Sequence, residues 1–263
     1  MTPARRISQA IDTAVAEDRT ALVAFITAGH PDKTRFVETL AAVAEVADVV
    51  EVGVPFSDPM ADGLTIQRAS RSALEAGVSL SWILDQIGSM RPRPAAPVIL
   101  MSYLNPLMAM GFELLAKRSL AAGVDGFIVP DLPLEESDEL NSALDTQGLA
   151  LVQLVSPVTP AGRLPLLCAA SRGFLYAVTV TGTTGGDAGS ADNMKEYLDR
   201  TREASAVPVC AGFGVRTTEQ FEEIGRHVPG VVVGSALVEA LERGDDPRVY
   251  LEGLIGRTGR VSA

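Results

Sequence analysis

From its N-terminus onward, the chain alternates between short apolar runs and longer segments whose apolar positions recur at helical spacing. The apolar runs are LVAFIT from Leu22, VVEVGV from Val49, PVILMS from Pro97, GFIVPD from Gly126, ALVQLVS from Ala150, FLYAVTV from Phe174, PVCAGF from Pro208 and GVVVGS from Gly230. Most are hydrophobic almost throughout, as parallel strands covered on both faces are. Between them, TRFVETLAAVAEVA, GFELLAKRSLAAG, LEESDELNSALDTQ and NMKEYLDRTREA carry the period of amphipathic helices. Thr217, with Gln220 three residues on, marks a capping box ahead of FEEIGRHV. Strict alternation of strand and helix predicts a parallel α/β fold. Eight such units in 263 residues favour a closed barrel over a doubly wound sheet. The expected architecture is a single (β/α)8 TIM barrel over residues 1–263, with an extra N-terminal helix.

Composition narrows the class. Hydrophobic residues make up 47%, enough to fill a large core, and with 21% charged residues disorder is not the default. The opening MTPARRISQAIDTAVAEDRT has two arginines but no apolar stretch after them, so it reads as an amphipathic helix and not a signal peptide. No run of about 18 apolar residues is present, so no membrane partner is expected and the expected location is the cytoplasm. Cys168 and Cys210 stand in apolar surroundings and are expected in the core of a protein kept reduced. A net charge of −11 without a basic stripe excludes nucleic acid as a partner. An anionic ligand must therefore be gripped by local donors.

In such barrels the chemistry lies at the C-terminal strand ends. The second strand carries the sharpest anomaly there. Alternation puts Val50, Val52 and Val54 on one face, which should meet the helices, and turns Glu51 into the barrel with Val49 and Gly53. A carboxyl group in that interior is costly unless paired or functional, and burial raises its pKa toward the range of a general acid–base group. The bland alternative is a structural ion pair. The following loop, Pro55 to Leu64, contains Asp62 near the mouth. Two carboxylates there could divide roles, one moving protons and one staying ionised. Asp62 could equally cap a helix beginning near Thr65, and Asp58 could simply shape a turn. The last three strands end in Thr181-Gly182-Thr183-Thr184-Gly185-Gly186, Gly212-Phe213-Gly214 and Gly234-Ser235. Glycines at successive strand ends let backbone N–H groups approach an oxyanion, so a phosphate is expected there.

The inventory also excludes chemistry. Lys33, Lys117 and Lys195 sit in or beside helical segments, and a Schiff-base aldolase needs a lysine at a strand end. His30 reads as a turn residue and His227 as a surface one, and with two buried cysteines they make no metal site. The expected site works through carboxylates and hydroxyls, with no metal and no cofactor in this chain.

Those residues resemble one family over nearly the whole chain, the α subunit of tryptophan synthase. The most specific piece is EVGVPFSDPMADGLTIQ, Glu51 to Gln67. FITAGHP from Phe25, MSYLNP from Met101, VPDLPLEE from Val129, TGTTG from Thr181, GFGV from Gly212 and VVVGSALV from Val231 support it. The resemblance implies retro-aldol cleavage of indole-3-glycerol phosphate to indole and glyceraldehyde 3-phosphate, in tryptophan biosynthesis. It implies Glu51 and Asp62 as the catalytic pair. Phe25, Tyr103, Ile128 and Tyr176 match positions shaping the indole pocket. Gly185, Phe213, Gly214, Gly234 and Ser235 match phosphate-binding positions, and Thr184 matches the threonine of a mobile loop. The implied partner is a β subunit carrying pyridoxal phosphate, in an α2β2 heterotetramer. A stand-alone lyase releasing indole, or a phosphate-binding barrel that regulates a partner, are the alternatives. Leu64 stands where the family usually has proline, Gly185-Gly186-Asp187 where Gly-Ala-Arg is usual, and Ala24 where some members have proline.

Overall fold

The computed structural model describes residues 1–179, 191–212 and 214–256. The eight apolar runs are strands: β1 (Ala21–Thr27), β2 (Val49–Gly53), β3 (Val98–Met101), β4 (Gly126–Ile128), β5 (Ala150–Val155), β6 (Leu175–Val178), β7 (Val209–Gly212) and β8 (Gly230–Val233). Each pairs in parallel with the next, and β8 returns to β1, so the sheet closes into a barrel.

Period-2 alternation sorts the strand residues into two apolar layers. Val50, Val52 and Val54 join Leu40, Val43, Ile83 and Leu100 in the layer beneath the outer helices. Val49, Ile99, Ile128, Val152, Tyr176 and Cys210 fill the barrel interior. The first helix, α1 (Pro3–Ala16), adds Ile7 and Ile11 to that inner layer. It starts with Pro at the first turn and is capped by Thr2, whose hydroxyl accepts the Arg5 N–H at 3.4 Å. Ser8 and Ala4 bond the carbonyls of Gly173 and Gly148, just before β6 and β5 begin, so α1 lies across the N-terminal end of the barrel. Arg6 holds it there, donating at 2.7 Å to Asp125, whose carboxylate also accepts the Val98 N–H at 3.0 Å.

The outer layer is richer than one helix per strand. Single helices follow β1 (α2, Phe36–Ala44), β4 (α7, Asp138–Thr146), β5 (α8, Leu164–Ala170), β6 (α9, Ala191–Ala204) and β7 (α10, Thr218–Gly225). Pairs follow β2 (α3, Leu64–Glu75; α4, Leu80–Ser89), β3 (α5, Leu104–Met110; α6, Phe112–Ala122) and β8 (α11, Ser235–Glu242; α12, Pro247–Leu254). Gly111 shows why one helical pattern splits. Its φ of +80° ends α5, and the same residue starts α6. The capping box of Thr217 and Gln220 is formed at the head of α10. Among the described residues no helix is long and apolar enough to cross a membrane.

Candidate active site

Because α1 covers the N-terminal end, the cavity opens at the other end, where the strands finish. Glu51 is central to it. In register it lies beside Phe25 on β1 and Ile99 on β3, and with the valines turned outward its side chain goes into the barrel. It is 1% exposed, and among the described residues its Oε2 has no hydrogen-bond partner. Burial, reinforced by the negative charge of Asp62, pushes its pKa up to about 8. The structural ion-pair alternative fails, since no cation pairs with Glu51 among the described residues.

Asp62 follows on the loop after β2. Burial raises its pKa to about 6, and a hydrogen bond from Tyr103 works against that rise. The Tyr103 hydroxyl is 3.3 Å from Asp62 Oδ2 and accepts the Ala61 N–H at 2.8 Å. Tyr103 also stacks on Phe56 with ring centroids 5.0 Å apart. Asp62 is not a helix cap: α3 begins at Leu64 with Gly63 at the N-cap and no side-chain capping bond. Its backbone carbonyl instead accepts from the Gln67 side chain at 2.8 Å. Asp58 lies in a turn, its carbonyl accepting the Met60 N–H at 2.9 Å and its carboxylate the Ser57 hydroxyl at 2.6 Å.

Glu51 and Asp62 open into one cavity of about 250 Å³. Its walls are mainly apolar and include Phe25, Tyr176, Ile66, Met101, Leu154 and Val178. Two of the residues matched to the indole pocket are not among those lining this cavity. Ile128 does not line the cavity; it is fully buried in the inner layer, and Met101 and Leu154, which pack on that layer, form the wall instead. Tyr103 contributes through Asp62 and Ala61 rather than as wall. Met101, Leu154 and Val178 were missed because apolar strand-end residues carry no chemical signal that separates wall from core.

Gly214, Gly234 and Ser235 line the same cavity as the two acids. Gly214 has φ +75°, a conformation that favours glycine. No side chain caps α11 at Gly234, so the first-turn amides of α11, with their favourable dipole, stand beside the cavity. Thr184, Gly185 and Phe213 lie outside the described residues.

The remaining candidates fall elsewhere. His30 makes the predicted turn, its N–H bonding Thr27 O at 3.2 Å, and its ring also meets Glu242 at 3.1 Å. Lys33 bonds the carbonyls of Ala76 and Gly77 at the end of α3. Cys168 and Cys210 are free and buried, and burial holds both thiols up, so neither is poised as a nucleophile. Among the described residues no group of three or more His, Cys, Asp and Glu could hold a metal ion.

A closed parallel barrel with two perturbed carboxyl groups in an apolar chamber at its strand ends has the layout of a barrel enzyme. The family model described as Tryptophan synthase alpha chain matches residues 11–258. The tryptophan synthase alpha chain of Nitratidesulfovibrio vulgaris (strain DP4) is 42% identical over 250 residues, covering 95% of this chain and 97% of that one. That of Geobacter sulfurreducens is 45% identical over 226 residues, 86% of each chain. Among solved structures, Mycobacterium tuberculosis tryptophan synthase in space group F222 superposes with a TM-score of 0.87 at 36% identity, covering 97% of this chain and 99% of that one. The alpha subunit from Legionella pneumophila str. Paris superposes with a TM-score of 0.85 at 33% identity, covering 96% of each chain. The chain belongs to the tryptophan synthase alpha chain family, lyases that cleave indole-3-glycerol phosphate in tryptophan biosynthesis.

Proposed function

We propose that Glu51 and Asp62 divide the α reaction between them, Glu51 as the proton carrier and Asp62 as the stabiliser of positive charge. The observation that carries this reading is their joint placement in one apolar cavity, with pKa values pushed up to about 8 and about 6. Near neutral pH Glu51 then holds a proton while Asp62 is ionised. Glu51 protonates C3 of the indole ring. Asp62 accepts the ring N–H and stabilises the indolenine cation that results. The bond between C3 and the glycerol carbon breaks, and its electron pair returns to the ring. Glu51, now a carboxylate, takes the hydroxyl proton of the glycerol carbon, which becomes the aldehyde. No water is consumed, and the proton lost from oxygen equals the one gained at C3. A protonated indole supplies the electron sink that a lysine supplies elsewhere.

Phe25 and Tyr176 flank the ring, and the amides near Gly214, Gly234 and Ser235 hold the phosphate, joined by Gly185 and Phe213. The partner is a β subunit carrying pyridoxal phosphate, in an α2β2 assembly. The exposed apolar side chains of Met60 and Leu64, beside the Asp62 loop, support a partner at this rim. The test is indole and aldehyde release from indole-3-glycerol phosphate as β subunit is added. Equal amounts of both products, rising with β subunit, are expected. Full turnover without it makes the protein a stand-alone lyase, and no product in either case removes the reading.

A further inference from the structure

Two helices at the mouth, α3 and α11, are joined by two polar rungs. On the first, Glu239 of α11 accepts from the Thr65 hydroxyl at 2.8 Å and from Nη1 and Nη2 of Arg216, at 2.6 and 3.0 Å. On the second, Glu242 accepts Arg68 at 2.7 and 3.2 Å and meets the His30 ring. Thr65 and Arg68 lie three apart on α3, as Glu239 and Glu242 do on α11, so each pair shares a helix face.

The rungs differ in what they reach. Thr65 is three residues after Asp62, in the first turn of a helix that no side chain caps. Arg216 is two residues after Gly214, and its own N–H is held by Gln220 at 2.8 Å. Glu239 lies one turn beyond Ser235 on the helix whose first amides stand by the cavity. The Glu239 carboxylate thus joins its own helix, which begins beside Ser235, to two other segments, one following Asp62 and one following Gly214. The Glu242 rung touches neither Gly214 nor its loop.

We propose that Glu239 is a positioning residue that ties the Asp62 segment to the loop after β7, so that the spacing between ring and phosphate ends of the site is set by one side chain. The inference rests on the proposed roles of Asp62 and Gly214. It needs a close bidentate Arg–carboxylate pair, which has more geometric specificity than a point contact. Arg216 accordingly holds the Glu239 carboxyl far below the usual range, at about 2, so the clamp stays charged across the working pH.

The test uses the full chain and the probe glycerol 3-phosphate, whose Kd is read by calorimetry without turnover, alongside kcat and KM for indole formation. Glu239→Ala is expected to weaken glycerol 3-phosphate and to lower kcat, each by about tenfold, since small misplacement of reacting groups costs rate steeply. Glu239→Gln keeps an acceptor for Thr65 and loses the ionic pair, so it raises Kd and spares kcat. Thr65→Val lowers kcat and spares Kd, while Arg216→Met does the reverse. In the Glu239→Ala background neither has any further effect. Arg68→Met, on the other rung, leaves Kd within about twofold, as an exposed pair remote from the ligand does. The inference is overturned if folded Glu239→Ala binds and turns over like wild type. It is equally overturned if Thr65→Val and Arg216→Met act unchanged in its background, or if Arg68→Met matches Glu239→Ala. A wild-type chain that makes no indole strikes the proposed lyase reading instead, and the calorimetric arm still reads the clamp.

Discussion

The hydroxyl of Tyr103 lies 3.3 Å from Oδ2 of Asp62 while accepting the neighbouring Ala61 N–H at 2.8 Å, so one phenol beyond β3 holds both carboxyl group and backbone of the loop after β2. Burial pushes the phenol's own pKa up to about 12, which keeps it a donor throughout the working range. Removing it in Tyr103→Phe leaves Asp62 with burial uncompensated. Its pKa is expected to rise above about 6, moving the acid limb of kcat/KM to higher pH. The loop is also freed, so kcat falls about tenfold, as expected for loss of a positioning contact. The pH–rate profile of the variant checks both.

A second prediction concerns the whole profile. Asp62 must be ionised and Glu51 protonated, so kcat/KM rises through about 6 and falls through about 8. The negative charge of Asp62 helps hold the proton on Glu51. In Asp62→Asn that help is gone, and the alkaline limb of the residual activity moves to lower pH.

Stability should follow the same buried acid. The folded Glu51 keeps its proton to about 8, whereas the unfolded chain releases it near the ordinary value of 4.5. Stability from the protonated form is complete below 4.5 and is lost as pH climbs to about 8. Between pH 5 and 8 the loss is on the order of 3 kcal/mol. Glu51→Gln does not titrate, so thermal melts should show it gaining on wild type as pH rises from 5 to 8. A gap independent of pH contradicts the perturbed pKa.

Gly53 offers a test of the pocket wall. A Cβ there would stand 2.5 Å from Phe25 Cζ and 2.8 Å from Cε2, and Phe25 lines the cavity. Gly53→Ala should displace the ring, cost about 1–3 kcal/mol in stability and raise KM more than it lowers kcat. Adding Phe25→Leu should recover part of the stability, read as non-additivity in denaturant melts.

What was legible in the sequence was what local periodicity carries. Alternation within β2 turned Glu51 inward, and the valine face met the helices, because side-chain direction in a strand depends only on neighbours in sequence. The eight strands emerged for the same reason. The grip of Tyr103 on Asp62 was not legible, since the two are 41 residues apart and meet only when β2 and β3 pair. Asp62 therefore looked as much like a cap as a catalytic group. The family resemblance puts Ile128 at the indole pocket; in the fold it lies in the inner layer on which Met101 and Leu154, both lining the cavity, pack. The second helices after β2, β3 and β8 were likewise hidden, because a helical period shows amphipathicity without showing where a glycine divides it.

The most direct measurement is kcat for indole release by Glu51→Gln, made with its β subunit on protein shown to be folded and to bind glycerol 3-phosphate. A drop of roughly 10²- to 10⁴-fold, the usual worth of a positioned proton carrier, is the result predicted. Indole release within a fewfold of wild type would mean that protons reach C3 by another route, and the division of labour between Glu51 and Asp62 would be wrong.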